Sequence, residues 1–278
     1  MYESHWGLSQ TPFASNLDPA AFFESRVHEE ALARLNYLVE ERRRLGLLLG
    51  AHGSGKSLLL EVLYDQLRQA ARPVARLRLL GVSAEEFPWL LARQFGIDPR
   101  VESKPTSLWR SIADRLIENR HQQWGTVVLL DDVDEADETV RSSILRMLQL
   151  DTSPQAQLTV ILTAQLGGAQ RIGPRLLEVA ELRIELANWD LDDTRGYLDH
   201  ALQRAGRARQ AFDAEAVAQL QQLSAGVPRR VCQLADLALM AGAGQRQQQV
   251  DAPTVQAVYQ ELGIDYSSVA QLSTGLVS

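Results

Sequence analysis

The sequence predicts an α/β protein, with a parallel sheet covered by helices on both faces and followed by a small all-α part. Three observations carry that expectation. Continuous apolar runs of strand length, at 45–49, 126–130 and 158–163, fit strands buried on both sides. Segments with apolar residues at every third or fourth position alternate with these runs, as in an open parallel sheet. From Asp190 onward the strand signals stop, leaving helical stretches separated by Gly, Pro and Asp.

Taken in order, residues 1–26 carry Trp6, Pro12, Phe13, Phe22 and Phe23 among turn formers, and read as an ordered, non-repetitive lead-in. Residues 27–44 read as a helix, with Ala31, Leu32, Leu35 and Leu38 on one face. A strand at 46–49 enters a glycine-rich loop, and a helix at 57–71 leaves it with Leu59, Leu60, Val62, Leu63 and Leu67. A strand at 74–80 and helices at 84–94 and 107–120 follow. The strand at 126–130 ends in Asp131 and Asp132 and suits the centre of the sheet. A helix at 135–150, a strand at 158–163 and a shorter one at 182–186 complete the alternation. Helices are expected near 190–205, 213–224, 228–242 and 251–262, with a Gln-rich loop at 245–249. The expected organisation is a lead-in at 1–26, an αβα core at 27–187, a helical domain at 188–262 and a tail at 263–278 without periodicity.

Composition narrows the class. With 278 residues, 45% of them hydrophobic and 23% charged, the chain can bury a full core in one large domain or two smaller ones. Cys232 is the single cysteine, which excludes an intrachain disulfide or a cysteine-based metal cluster and points to a reducing compartment. It reads as a small buried residue. The first residues lack a basic, apolar signal pattern, and no run approaches the roughly 18 apolar residues of a membrane span. The expectation is a cytoplasmic protein with no direct membrane insertion.

A net charge of −7 and a pI near 5.3 argue against a surface given over to nucleic acid. The basic groups Arg42 to Arg44 and Arg204, Arg207 and Arg209 read as solvated helix ends. The five histidines show no paired zinc spacing. Trp89, Trp109, Trp124 and Trp189 read as packing residues at helix and strand edges.

Gly50-Ala51-His52-Gly53-Ser54-Gly55-Lys56-Ser57 fits the phosphate-binding pattern G-x-x-x-x-G-K-[ST] in a strand–loop–helix setting. Its glycines let successive backbone N–H groups face one point, Lys56 brings a point charge to the β and γ phosphates, and Ser57 offers a hydroxyl to Mg²⁺. The helix start adds a positive dipole end. The expected nucleotide contacts run from Gly50 through Leu58. No N-K-x-D element for reading guanine is present, so the expected cofactors are ATP and Mg²⁺. Hydrolysis also needs carboxylates at the end of a neighbouring strand. Asp131 is expected in the metal shell with Ser57, and Asp132 is expected to activate water.

With these motifs in order, residues 1 to about 262 resemble AAA+ ATPases of the ExeA type, the general secretion pathway protein A family. The opening from Met1 to Leu8 with Pro12-Phe13, and the helix from His28 to Leu35, look like that family's start. Asp192-Asp193-Thr194 with Tyr197-Leu198, then Ala205-Gly206, resemble the start of its lid domain, and Gly226-Val227-Pro228-Arg229-Arg230 its G-[IV]-P-R element. The resemblance implies a P-loop NTPase core with a small all-α lid. It also implies that Arg229, with Arg230 as fallback, senses the γ phosphate from the lid. Gln165, or less favourably Thr163, is the implied polar sensor at the end of the 158–163 strand. The family acts in secretion-system or pilus assembly, often with a transmembrane helix and a peptidoglycan-binding region after the ATPase. Neither follows here, so the implied partner is a membrane-associated protein or a component of another pathway.

Two departures stand out. The family has Asp-Glu where this chain has Asp131-Asp132, and the shorter side chain implies slow hydrolysis, as in nucleotide-held switches of the STAND type. Glu135 lies nearby but outside the family's position. Where the family has an arginine acting in trans, this chain has Val179, so Arg175 and Arg171 are the substitutes, and a homo-oligomer is implied. Two rivals accompany the remodelling ATPase. One is a slow switch or scaffold. The other, less favoured, is a DNA-associated ATPase of transposition or replication-initiation type, with Arg204, Arg207, Arg209 and Arg230 as its contact face.

Overall fold

The computed structural model describes residues 2–13, 17–100, 104–150, 153 and 156–263. Contacts divide these into two compact units. One holds residues 28–51 and 56–186, and the other the lead-in up to Val27, residues 52–55 and everything described from Ala187 onward.

In chain order the elements are α1 Tyr2–Trp6, α2 Arg26–Glu40, β1 Leu45–Gly50, α3 Lys56–Gln69, β2 Val74–Arg78, α4 Glu86–Gln94, α5 Pro105–His121, β3 Thr126–Asp131, α6 Glu138–Leu148, β4 Leu158–Gln165, α7 Ala169–Ile172, α8 Pro174–Val179, β5 Leu182–Leu186, α9 Leu191–Arg204, α10 Ala214–Ser224, α11 Pro228–Gly244 and α12 Ala252–Glu261. The first helix expected to reach Arg44 stops at Glu40, because Arg42 turns the chain through a left-handed conformation (φ 53°). The strand expected to reach Leu80 ends at Arg78, and the helix expected from Glu135 begins at Glu138 after a single 3-10 turn. β4 runs two residues further than expected, to Gln165. Gly263 is the one residue of the 263–278 tail that falls among those described.

The sheet unit is built on a five-stranded parallel sheet in the order β2-β3-β4-β1-β5. Right-handed crossovers put α3 on one face and α4, α5, α6 and α8 on the other. The strand residues divide accordingly. Leu45, Leu47 and Leu49 of β1, Val128 and Leu130 of β3, and Val160 and Leu162 of β4 join Phe87, Leu91, Ile112, Ile144 and Leu176 in one buried cluster. On the opposite face Leu38 of α2 lies so close to Gly46 that an added Cβ there would sit 2.3 Å from Leu38 Cδ1. A glycine in the middle of β1 therefore lets α2 approach the sheet closely.

The helical unit has its own core. Trp6 is buried beneath α11, with its indole N–H donating to the Leu239 carbonyl at 2.8 Å. Leu8 and Phe13 join Leu198, Leu202, Leu220, Leu234 and Leu239 in the same cluster. The lead-in thus provides core side chains for α9–α12. Asp190, Asp213 and Asp251 cap the first turns of α9, α10 and α12 by accepting from Asp193 N, Ala216 N and Thr254 N.

Two expectations about side chains are corrected. Trp124 is 52% exposed and is not a packing residue, unlike Trp109 and Trp189, which are buried. It comes two residues before β3, directly after the chain has turned through Gln123 (φ 60°). Arg207 is not simply a solvated helix end. Its guanidinium donates to the Trp6 carbonyl at 2.7 Å and lies 5.0 Å above the Trp6 ring. Cys232 is partly buried, and its sulfur lies 2.9 Å from the Tyr197 hydroxyl. Burial pushes the thiol pKa up, which keeps it protonated.

Candidate functional site

Parallel registry brings the carboxyl ends of four strands together. Gly50 of β1 pairs with Gln165 of β4, Leu130 of β3 with Leu162 of β4, and Arg78 of β2 with Asp131 of β3. Ligands in open α/β sheets bind outside such carboxyl ends. The glycine-rich loop continues directly from β1 into α3.

Within the sheet unit the Lys56 ammonium is nearly buried and donates to the carbonyls of Gly50 and Ala51, at 3.0 and 2.9 Å. Folding the side chain back along its own loop holds a full positive charge beside the first helical turn, where Ser57 and Leu58 follow. Two features of charge therefore coincide, an ammonium and a helix amino-terminus, and both favour an anion.

At the end of β3 the Asp131 carboxylate is buried and accepts a hydrogen bond from the Thr163 hydroxyl. The same hydroxyl accepts from the Asp132 backbone N–H at 3.0 Å. One threonine therefore ties the two carboxylate positions to β4. Asp132 itself adopts a left-handed conformation (φ 59°, ψ 48°), unusual for a residue other than glycine. Its Oδ2 accepts from Arg78 Nε at 2.9 Å.

Gln165 is placed differently. Its backbone N–H donates to Asp134 Oδ2 at 3.2 Å, and its side-chain amide lies 3.5 Å from Glu135 Oε1. Asp134 was not singled out in the sequence, because an acid in a turn after a strand looks solvated. Here its side chain is 1% exposed, with Arg171 Nη2 3.4 Å away, and Arg171 Nη1 lies 3.4 Å from Glu135. Arg171 thus clamps two acids, whereas Arg175, at the start of α8, is exposed and lines a cavity of about 650 Å³ with Arg141 and Asp137.

Within the helical unit the tip of the loop, residues 52–55, meets the start of α11. The Arg229 backbone N–H donates to Gly53 O at 3.1 Å, and its guanidinium Nη1 donates to His52 Nε2 at 2.9 Å. Gly53 has φ 82°, and an added Cβ would lie 2.8 Å from Arg229 Cβ. Gly53 is therefore required both by its conformation and by the arginine against it. Pro228 at the first turn of α11 fixes the helix start that presents Arg229. Arg230 follows it, half-buried.

A divalent metal fits this donor set. The Ser57 hydroxyl and the Asp131 carboxylate are hard oxygen donors. Among the described residues no group of three or more His, Cys, Asp and Glu is placed to cage a metal. A cation held here would complete its shell with water and phosphate oxygens, which is how Mg²⁺ is usually bound.

Comparison with known proteins adds family and fold. Residues 39–172 match the AAA domain family. The chain is 28% identical over 245 residues to General secretion pathway protein A of Aeromonas hydrophila, a match covering 87% of this chain and 45% of that protein. It therefore spans less than half the length of that relative. Among solved structures, Cdc6p from Pyrobaculum aerophilum superposes with a TM-score of 0.68 at 15% identity, covering 91% of this chain and 73% of that one. A chain of Drosophila ORC bound to DNA gives 0.70 at 16% identity, covering 97% and 67%. The RuvB Holliday junction branch migration motor of Thermotoga maritima gives 0.57 at 14%, covering 92% and 74%. At such identities these likenesses concern the fold. Among the described residues no helix is long and apolar enough to cross a membrane.

Proposed function

We propose that this chain is an AAA+ ATPase of the ExeA type, as its likeness to the AAA domain family and to General secretion pathway protein A supports, and that it binds MgATP at residues 50–58, hydrolyses it, and uses the nucleotide state to assemble or remodel a protein partner. The observation that carries this reading is Lys56. A nearly buried ammonium held by the carbonyls of Gly50 and Ala51, next to a helix start, is a preformed receptor for phosphate.

The chemistry that Mg²⁺ would supply here is positive charge against the charge that develops on the phosphates. Ser57 and Asp131 would hold the ion, and the Thr163 hydroxyl fixes the rotamer of Asp131. The geometry favours Thr163 over Gln165 as the polar sensor, because Thr163 touches both Asp131 and Asp132 while Gln165 serves Asp134 and Glu135. Asp132 is the candidate base that orients and deprotonates water. Arg229 already touches His52 and Gly53, so a phosphate entering the loop competes with His52 for the guanidinium. That exchange gives the helical unit a contact that depends on nucleotide, and we assign lid closure to it.

Arg175 is the better candidate for a residue acting in trans within a homo-oligomer, since withdrawing Arg171 would strip the buried Asp134 of a cation. Likeness to General secretion pathway protein A of Aeromonas hydrophila supports a role in a secretion-type assembly, and we extend the proposal to a pilus-type assembly, a membrane-associated partner and a cytoplasmic location. The test is nucleotide binding and turnover by the purified chain and by Lys56→Ala. Loss of both in the variant supports the reading, and unchanged ATP affinity sinks it.

One observation favours a second reading, the slow nucleotide-held switch. The Arg78 guanidinium already occupies Asp132, so the candidate base is engaged before any water arrives. The DNA-associated reading is weakened by Arg207, whose guanidinium is committed to Trp6. Absence of binding to duplex DNA at low salt would remove it.

A further inference from the structure

We propose that a cavity at the amino-terminal ends of β2 and β3 binds an acidic peptide segment of a partner protein, seating carboxylates on Arg68, Arg72 and Arg115 and an aromatic side chain against Trp124. The cavity has a volume of about 570 Å³ and lies wholly in the sheet unit. Pro73 and Val74, at the start of β2, form part of its wall. Because the strands are parallel, this is the end of the sheet opposite to Asp131 and Gln165, and the proposal does not rest on the nucleotide reading.

Charge carries the argument. The chain as a whole has a net charge of −7, yet among the described residues no carboxylate lines this cavity while three guanidiniums do. Arg115 is held in place, donating from Nη1 to the Phe95 carbonyl at 2.7 Å and from Nε to Glu118 at 3.1 Å. Arg68 lies 5.8 Å from the centre of the Tyr64 ring, which also carries Arg76 at 4.9 Å. Arg72 follows the left-handed turn at Ala71 (φ 54°) that ends α3. Neither Arg68 nor Arg72 has an ion pair among the described residues. Guanidiniums fork onto carboxylates with two parallel hydrogen bonds, which sets the chemistry of the occupant.

Trp124 supplies the second half. It is 52% exposed at the rim, a large aromatic face in water beside fixed cations. Exposed Trp and Arg together are the residue types that dominate binding hot spots. A nucleic-acid strand is disfavoured by the surroundings. Asp65 is exposed one turn before Arg68 on α3, and the exposed Glu118 carboxylate stands beside Arg115, so a continuous phosphate backbone meets like charge on leaving the cavity. A volume of this size takes a few side chains of a short peptide segment and not a continuous nucleic-acid strand.

The test uses the full chain and a fluorescein-labelled peptide in which Asp and Glu alternate around one central Phe, followed by anisotropy. A peptide with Lys in place of the acids and an unlabelled oligothymidylate serve as competitors. The peptide is expected to bind, to bind less tightly as salt is raised, and to lose about tenfold in affinity in each of Arg72→Glu, Arg68→Glu and Trp124→Ala. All three positions are exposed, so thermal melts should stay close to wild type. Lys56→Ala should bind the peptide as wild type does. No binding, binding undiminished in the three variants, or displacement by oligothymidylate at matched charge would overturn the proposal.

Discussion

Arg78, at the end of β2, donates from Nε to the carboxylate of Asp132, the residue that directly follows β3, at 2.9 Å. Asp132 is held at that point in a left-handed backbone conformation that costs a residue with a Cβ about 1 kcal/mol. The carboxylate proposed to activate water is therefore directed toward a neighbouring strand. Arg78 is 65% exposed, so this contact adds little to stability but sets where the carboxylate points.

Removing the guanidinium should free the carboxylate. Arg78→Ala is expected to raise ATP turnover several-fold, with thermal stability within about 1 kcal/mol of wild type. A fall in turnover with unchanged ATP affinity would mean instead that Arg78 holds Asp132 in its working position.

Thr163 should matter more than Gln165. Thr163→Val keeps the side-chain shape but removes the hydroxyl shared by Asp131 and the Asp132 N–H, so turnover should fall by about 10²-fold. The lost hydrogen bonds should also cost about 1–3 kcal/mol in denaturant unfolding. Gln165→Ala should change turnover far less. The reverse ranking would restore Gln165 as the sensor.

Much of this arrangement was legible in the sequence. The runs at 45–49, 126–130 and 158–163 are short, mostly apolar and rich in Leu, Val, Ile and Thr, which suits strands buried on both faces, and all three are central strands. The glycine-rich loop was legible because its spacing is set by the phosphate it would wrap. The helices at Ala169–Ile172 and Pro174–Val179 are too short to display a period. Partnerships between distant positions were also out of reach. Nothing near Asp132 in the chain announces Arg78, and nothing near Arg207 announces Trp6. Asp134 looked like a turn residue, and only the packing of Gly168 and Arg171 around it makes it buried. Trp124 carries the opposite lesson, since residue type alone assigned it a packing role at a strand edge, and it is 52% exposed.

Gly226 is a stability hinge of the helical unit. It has φ 69°, and an added Cβ would stand 2.1 Å from the Trp189 carbonyl oxygen, whose residue accepts no compromise because Trp189 N donates back to Gly226 O at 2.9 Å. Gly226→Ala should therefore destabilise the protein by more than about 2 kcal/mol, read as a lower urea midpoint. A midpoint equal to wild type would show that this turn adapts.

Acid should weaken the helical unit through His200. Burial against Phe23 lowers its pKa below the ordinary histidine value, and its Nε2 is buried with no hydrogen-bond partner among the described residues. A lowered folded-state pKa means the unfolded chain takes up the proton first. The stability of the neutral form is fully present above the unfolded value and declines as pH falls through it toward the folded one. His200→Gln should flatten that acid-side decline in urea midpoints, and an identical pH slope in the variant would assign it to other groups.

The most direct test of the nucleotide reading is MgATP affinity and steady-state turnover measured together for the wild type, Lys56→Ala and Asp132→Glu across a range of protein concentrations. The account expects tight binding and slow turnover in the wild type, rising with concentration if Arg175 acts in trans. It expects loss of both in Lys56→Ala and faster turnover in Asp132→Glu. Equal ATP affinity in wild type and Lys56→Ala would contradict it, because the buried ammonium would then have no part in holding phosphate.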